Sequence, residues 1–494
     1  MSNTRRKKII IVGAGPGGLS AGMLLAHKGF EVKIFEKEKI PGGRNGFLKL
    51  GEYKFDIGPT FFMMDNILRE IFKTTGRNLD DYVKMTSLLP MYRLYFPDNY
   101  LDVYDDQKKM KKELARVFPG EENGLAKFHL EEKKRLAALY PILSADNNNI
   151  LATSKPEFLK AIPSFSIGRS LFSVMGDYFK DERCRLSFTF QSKYLGMSPW
   201  DCPGAFAMVP FIEHNKGVYH IEGGLSSAAE AMAKVIQEDG GKIHYGKSVK
   251  KILTERGRAV GVELNNGKKF FSGAVVINAD FSYAASELLS GLKKYSKKKL
   301  EKKKYSCSIF MLYLGVNKKF NLPHHAIVFA KNYRQNIEDV FSGKLTKEDF
   351  SFYVRDASKT DSTLAPKGKS ALYVLVPVPN NRSKINWQKS GPKIRNRVLE
   401  LMRQRLKIKI DEADIEVEKI ISPTDWQKDF NVYQGAVFNL SHHLDQMLWF
   451  RPHNEFEEIK DCYLVGGGTH PGSGLPTIYE SGRITANLIA KKFS

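Results

Sequence analysis

Hydrophobic positions fall into two rhythms along this chain. Ile9 to Val12 is short and apolar throughout, the pattern of a strand buried between two helix layers of a parallel sheet. The turn Gly13-Ala14-Gly15-Pro16-Gly17-Gly18 follows, then a helical stretch to about Lys28 that Gly29 can end in the left-handed conformation. Val32 to Phe35 reads as a second strand with Glu36 at its carboxyl end, which completes one βαβ unit within about thirty residues.

The same rhythm returns twice. After residue 215 come His220-Ile221-Glu222-Gly223-Gly224, a helical stretch from Leu225 to Glu238 and a Gly240-Gly241 stop. Strand-like segments then run over Lys242 to Tyr245, Val249 to Thr254, Ala259 to Leu264 and Ala274 to Ile277, with turns such as Asn265-Asn266-Gly267. Near the end, Cys462 to Val465 is a strand, Gly466 to Gly474 a loop, and Leu475 to Lys491 a helix with Pro476 in its first turn. Between these blocks, residues 80–215 mix aromatic and apolar residues with helical periodicity, notably over Phe158 to Phe190. Residues 305–425 carry strands at Ile309 to Leu314 and Ala371 to Val376, and a charged helix near Lys393 to Lys407. The pattern predicts an α/β protein: a Rossmann-like domain of discontinuous segments (1–79, 216–290, 426–494) with an α+β domain inserted as a helical part (80–215) and a sheet part (291–425).

Composition narrows this further. With 494 residues, 42% apolar and 27% charged, the chain can bury a large core, which excludes disorder, collagen and disulfide scaffolds. Cys184, Cys202, Cys307 and Cys462 lie far apart with no C-x-x-C pair, so buried thiols in a reducing compartment are expected. The net charge of +23 creates a field that attracts anionic surfaces. Eight lysines crowd Lys293 to Lys304 around the single Glu301, and Lys108 to Lys112 is a smaller run; each reads equally as a solvated face or a membrane-surface patch. No nucleic-acid motif accompanies them, so nucleic acid is not an expected partner. Arg5, Arg6, Lys7 and Lys8 before Ile9 to Ala26 imitate a signal peptide, but glycines interrupt the stretch and no small-residue cleavage site follows. The longest apolar run elsewhere, Ala371 to Pro379, falls far short of the roughly 20 residues a spanning helix needs.

Chemistry concentrates at the glycines. Gly13, Gly15 and Gly18 form a G-x-G-x-x-G in which the backbone can approach a pyrophosphate at a helix N-terminus. Glu36 is placed to accept hydrogen bonds from a ribose diol and to repel a 2′-phosphate, which argues against NADP. Gly42-Gly43-Arg44 and Phe55-Asp56-Ile57-Gly58-Pro59-Thr60 suit a longer cofactor continuing along the cleft. The C-terminal helix would aim its positive end at a ring that gains negative charge on reduction. His324-His325 and His442-His443 lack metal-ligand spacing and read as surface pairs, so no metal site is expected. His470, inside the glycine loop, is open to a structural or a redox role. Phe165, Leu171, Phe172, Met175, Tyr178 and Phe179 read mostly as core, with a tunnel or membrane role as the alternative beside Lys155, Lys160, Arg169 and Lys180.

The fingerprint, Gly-Gly-Arg, Gly-Pro-Thr, His220-Ile221-Glu222-Gly223-Gly224-Leu225, Val276-Ile277-Asn278-Ala279-Asp280 and Gly468-Thr469-His470-Pro471-Gly472-Ser473-Gly474-Leu475-Pro476 together resemble the bacterial phytoene desaturase family, from residue 9 to about 490. The resemblance implies a noncovalent FAD, cytoplasmic location with peripheral attachment to anionic membrane, and an apolar C30 or C40 polyene as substrate. By position, Gly13, Gly15, Gly18 and Glu36 would hold the adenosine diphosphate part, with Val249 touching adenine through its backbone. Gly43, Arg44, Gly58, Pro59 and Thr60 would follow the cofactor, and Gly467, Thr469, Pro476 and Thr477 would surround the flavin end. Desaturation would pass hydride to the flavin and a proton to a weak acceptor, with no side chain assigned as base; isomerisation and terminal-methyl oxidation are variants. The bulky Thr477-Ile478-Tyr479-Glu480 departs from the family's pattern and bears on which of these reactions runs. Flavin amine oxidation and non-enzymatic prenyl carriage are the alternatives from other classes. The Thr-His-Pro-Gly element counts against the first and the intact glycines with Glu36 against the second.

Overall fold

The computed structural model describes residues 7–146 and 156–493; Arg5, Arg6 and Lys155 lie outside the described residues. A five-stranded parallel sheet takes strands from both ends and the middle of the chain. Its order is Cys462–Leu464, Ala274–Ile277, Lys8–Val12, Glu31–Phe35 and Lys242–His244. Ile9 and Ile11 pack into one core cluster and Ile10 and Val12 into another, so both faces of the first strand are covered. That double burial is why the strand shows no polar alternation.

On one face lie the helices Pro16–His27, Ser226–Glu238 and Leu475–Phe493. The first and last approach closely because Gly482 carries no side chain: a Cβ there would lie 2.6 Å from the Gly17 carbonyl oxygen. Ser20 Oγ donates to the Tyr479 carbonyl at 2.8 Å across the same contact. A three-stranded antiparallel sheet, Val249–Glu255, Arg258–Leu264 and Lys269–Phe271, covers the other face together with Phe281, Tyr295 and Leu300.

The second sheet has seven strands in the order Ile415–Ile421, Ser308–Val316, Ser370–Val378, Phe352–Asp356, His325–Val328, Tyr92–Tyr95 and Tyr100–Val103. All neighbours are antiparallel except His325–Val328 with Tyr92–Tyr95. Side chains alternate with the pleat: Phe310, Leu312 and Leu314 meet Trp387, Ile394 and Val398 of the helix Trp387–Leu401, while Ile309, Met311 and Tyr313 face the opposite core.

Two sequence expectations shift. The charged helix begins at Trp387 rather than near Lys393, because the Asn386 side chain accepts from the Lys389 amide at 3.1 Å and caps it there. The Phe158 to Phe190 stretch breaks into short helices, Pro156–Ala161, Leu171–Met175 and Glu182–Ser187, with the 3-10 turn Ile162–Phe165 after the first. Ser170 and Asp181 cap the second and third of these. Phe165, Leu171, Met175, Tyr178 and Phe179 are buried and Phe172 is partly so, which makes these residues core, while Leu159, Ile162 and Ile167 of the same stretch are exposed. All four cysteines are free and buried.

Candidate functional site

The site grows from the end of the first strand. Gly13 adopts φ +96°, which lets the chain turn sharply into the helix, and a Cβ on Gly18 would sit 2.3 Å from the Gly13 carbonyl oxygen. Asn278, at the end of the Ala274–Ile277 strand, donates from Nδ2 to that same carbonyl at 3.1 Å and from its amide to Val12. Gly42 donates to the Ala14 carbonyl at 2.8 Å and folds the Gly-Gly-Arg segment over the turn. The Glu36 carboxylate accepts from the Ala14 amide at 2.6 Å and the Glu38 amide at 2.8 Å. Burial raises its pKa against the pull of those amides.

Farther along, Arg44 Nη1 donates to the Val437 carbonyl at 2.5 Å. Burial lowers its pKa, and the nearby Asp280 carboxylate opposes that shift. Asp280 Oδ1 caps the Tyr283 amide at 3.2 Å while Oδ2 has no hydrogen-bond partner. Burial pushes the Asp280 carboxyl up to about 6, with Arg44 pulling the other way.

The C-terminal loop meets this cradle directly: a Cβ on Gly17 would lie 3.2 Å from the Gly466 amide nitrogen. Arg451, fully buried, holds the loop from behind by donating to the Gly467 carbonyl at 2.6 Å and to those of Thr469 and Leu440 at 3.2 Å. Burial pushes its guanidinium down to about 9. Ser473 donates its amide to His442 Nε2 at 2.9 Å and its hydroxyl to the Phe438 carbonyl at 2.7 Å. Thr477 Oγ1 closes the first helical turn on the Gly474 carbonyl at 2.8 Å. Glu480 is ion-paired with Arg483 at 2.6 Å. His470 Nε2 contacts the Ala145 carbonyl at 3.0 Å, and burial pushes its pKa down to about 4.

One cavity of about 520 Å³ joins these parts. Gly13, Gly15, Glu36 and Val249 line its first portion; Gly43, Arg44, Gly58, Pro59 and Thr60 line the next; Gly467, Pro476 and Thr477 line the junction with the C-terminal loop. Beyond it the wall is apolar, with Ile309, Ile327, Phe352, Leu375 and Pro377 from the seven-stranded sheet opposite Leu136, Leu143 and Met208. Of the residues expected to hold the cofactor, Gly18 and Thr469 alone stay outside the lining. Gly18 serves the packing of helix on strand, and Thr469 is turned inward, with its carbonyl on Arg451.

Histidine was misplaced by sequence reasoning. His324, His325 and His442 are buried rather than on the surface. His325 stacks on Phe61 at 4.1 Å between centroids, and its Nδ1 lies 2.6 Å from Tyr353 OH, itself 2.9 Å from Thr60 Oγ1 on the cavity wall. Behind them Arg355 bridges Asp56 at 2.6 Å, His220 at 3.0 Å and His324 at 3.2 Å, while His220 reaches Asp361 at 2.8 Å. Partners distant in sequence take these rings inside, which no local spacing reveals. Lys193, Tyr353, Arg451 and Asp280 are further residues of the site that the sequence motifs do not mark as such. Only Asp280 carried a signal, at the end of the strand that aligns with the fingerprint.

A glycine cradle, a buried carboxylate at the end of the second strand and the unpartnered Asp280 Oδ2 on the wall fit a flavin dinucleotide. Among the described residues no three His, Cys, Asp or Glu side chains converge as a metal site requires, and no helix is long and apolar enough to cross a membrane.

Residues 16–490 match the family model described as flavin containing amine oxidoreductase. The chain is 50% identical over 494 residues to a 4,4'-diapophytoene desaturase (4,4'-diapolycopene-forming) of Methylomonas sp, covering 100% of this chain and 96% of that one. It is 37% identical to a zeta-carotene-forming phytoene desaturase of Myxococcus xanthus, covering 99% and 95%. Among solved structures, an oxidoreductase from Methanosarcina mazei superposes with a TM-score of 0.65 at 18% identity, covering 98% of this chain and 100% of that one, a likeness of fold.

Proposed function

The chain belongs to the flavin containing amine oxidoreductase family and, within it, to the bacterial carotenoid desaturases; from that premise we propose that it desaturates an acyclic C30 or C40 polyene with FAD as its bound oxidant. The observation that carries the reading is the single cavity running from the dinucleotide turn, past the C-terminal glycine loop, into an apolar arm beneath the seven-stranded sheet. The relative at 50% identity is named for a C30 substrate, which favours that chain length here.

In this reading Glu36 takes the ribose diol, and the first-turn amides behind Gly13 and Gly15 take the pyrophosphate. Val249 meets adenine through its backbone, and Gly43, Arg44, Gly58, Pro59 and Thr60 follow the cofactor toward the ring. Gly467, Pro476 and Thr477 frame the ring, and the helix Leu475–Phe493 turns its positive end toward it. Bound flavin supplies a hydride acceptor of the strength needed for an unactivated allylic CH2-CH2. The protein supplies position and dryness: Ile309, Phe352 and Leu375 shed water from a substrate that offers no polar handle. Among the described residues the carboxylates on the lining are Glu36, Glu38, Asp280 and Glu480, and Glu480 is already paired with Arg483. An amine cation in the apolar arm would find no counter-charge there, which disfavours amine oxidation.

Membrane attachment is part of the proposal. Leu159, Ile162 and Ile167 are exposed beside the helix Gly124–Leu143, whose Leu136 and Leu143 line the cavity. A polyene could pass from a bilayer over that edge without crossing water.

The test is direct. The purified protein should carry extractable FAD and be bleached anaerobically by 4,4'-diapophytoene or phytoene. Co-expression with a synthase for either hydrocarbon should give a coloured, more conjugated product. An unchanged colourless product with the flavin in place would overturn desaturation.

A further inference from the structure

One cation interrupts the apolar wall. Lys193, on the 3-10 turn Phe190–Leu195, lines the cavity with Leu195, Cys307 and Ile309. Its Nζ lies 4.8 Å from the Tyr333 ring centroid and 5.5 Å from that of Phe329, and no ion pair to a carboxylate is formed among the described residues. An amine held in an apolar cavity without a counter-ion is costly as the ammonium. The Tyr333 and Phe329 ring faces attract the ammonium, a smaller effect than the loss of water, and no carboxylate adds to it. Cys307, at the head of the strand Ser308–Val316, is a thiol that burial pushes up to about 12 and so stays neutral. Tyr333, from the helix Tyr333–Ser342, is a phenol held protonated by burial. The charged groups on the neighbouring elements are themselves engaged: Arg405 donates to the Phe329 carbonyl at 3.0 Å and pairs with Asp349, Arg334 lies over Trp200, and Glu213 accepts from Gln191 at 2.7 Å. Desolvation accordingly pushes the Lys193 amine down to about 7.

Its place in the cavity matters as much. Three residues on, Gly196 lies so close to Phe438 that a Cβ would fall 2.4 Å from the ring, and the Phe438 carbonyl receives Ser473 Oγ of the C-terminal loop. The turn that carries Lys193 is thereby packed through Phe438 against the C-terminal loop.

We propose that Lys193, as the neutral amine, is the proton acceptor of the desaturation; the proposal rests on the desaturase reading given above. Once hydride has left one CH2 for the flavin, reducing it by two electrons, the neighbouring C–H bond breaks. Its electron pair becomes the second bond of the new C=C, and the proton forms an ammonium on Nζ. Other lining groups serve less well. His442 Nε2 is engaged by the Ser473 amide, Glu480 is paired with Arg483, and Glu36 and Asp280 stand on the cofactor side. His325 is not on the lining, and beside Arg355 an imidazolium there is disfavoured. A Lys193 already protonated would also repel the positive charge developing on the polyene, so activity falls as pH drops through about 7.

The test uses holoenzyme and 4,4'-diapophytoene. Lys193→Met should keep its flavin and its polyene binding, lose about 10²–10⁴-fold in the flavin-reduction and product-forming rate, and lose the acid limb of the pH profile. Lys193→Arg, cationic at every working pH, should be as slow throughout. Independently of turnover, pH-dependent acetylation read by mass spectrometry should give Lys193 a midpoint near 7, well below that of exposed lysines such as Lys298. Lys193→Met at the wild-type rate, an unmoved acid limb, or a labelling midpoint near 10 would each overturn the assignment. A wild-type enzyme that desaturates normally while any of these holds leaves the desaturase reading standing. A wild type that desaturates no polyene overturns both.

Discussion

Arg355→Met removes a fully enclosed guanidinium whose consequences can be worked from its contacts. Arg355 and Asp56 are 3% and 4% exposed and meet at 2.6 Å, and Asp56 Oδ1 also accepts from the Leu225 amide at 2.8 Å. The pair joins the Phe352–Asp356 strand to the dinucleotide side of the molecule, directly beneath Gly58 to Thr60. Tyr373 and Tyr313 add hydroxyl donations to the Gly58 and Ile57 carbonyls, each at 2.6 Å. Leaving Asp56 buried without its cation costs about 3–5 kcal/mol. An unfolding entropy of about 2.1 cal/mol/K per residue over this chain amounts to roughly 1 kcal/mol/K, so Tm should fall by about 3–5 °C. Differential scanning fluorimetry at one fixed scan rate, with flavin release followed in parallel, reads the effect. The double variant Asp56→Asn with Arg355→Met should recover part of the loss, because no bare charge remains. A single-variant shift below about 1 °C, or a double variant that loses the sum of both, would refute the reasoning.

Three further outcomes are expected. Gly18→Ala forces a Cβ against the Gly13 carbonyl oxygen at 2.3 Å; an overpacking cost of about 1–3 kcal/mol should weaken FAD retention by about 10–100-fold, measured by equilibrium dialysis of reconstituted protein. Glu213, buried with Tyr92 and Gln191 donating to it, has its carboxyl raised from 4.5 to about 7 by desolvation, so the stability it contributes below pH 4.5 is lost as pH rises to 7. Glu213→Gln should therefore match wild type in thermal denaturation at pH 4.5 and exceed it by about 3 kcal/mol at pH 8; equal or lower stability at pH 8 would contradict the burial argument. On anionic vesicles, replacing Leu159, Ile162 and Ile167 by Ser should reduce flotation at every salt concentration. Changing Lys297, Lys298, Lys299, Lys302, Lys303 and Lys304 to Gln should reduce it only at low salt, each charge being worth about 1 kcal/mol at such a surface. If neither set alters flotation, the protein meets its substrate elsewhere.

Features set by neighbours along the chain can be read from the residues alone. The Lys8–Val12 strand, the turn at Gly13 and the helix start at Pro16 are legible because hydrophobic period, backbone freedom at φ +96° and the fixed φ of a first-turn proline all act within a few residues. The same holds for the Cys462–Leu464 strand, its loop and its helix, and for the glycines and Glu36 on the cavity wall. Other groups take their character from partners hundreds of residues away, and folding alone assembles those. His325 looked like a surface histidine until Tyr353 and Phe61 enclosed it. Arg451 became the brace of the C-terminal loop because carbonyls from Leu440 to Thr469 converge on it. Lys193 is an ordinary lysine in its own hexapeptide, and only Cys307, Phe329 and Tyr333, brought in by the second sheet and its helix, strip it of water and of counter-charge. Backbone shape is largely a short-range property and can be read locally; desolvation sums over everything that surrounds a group, and that surrounding exists only once the chain has folded.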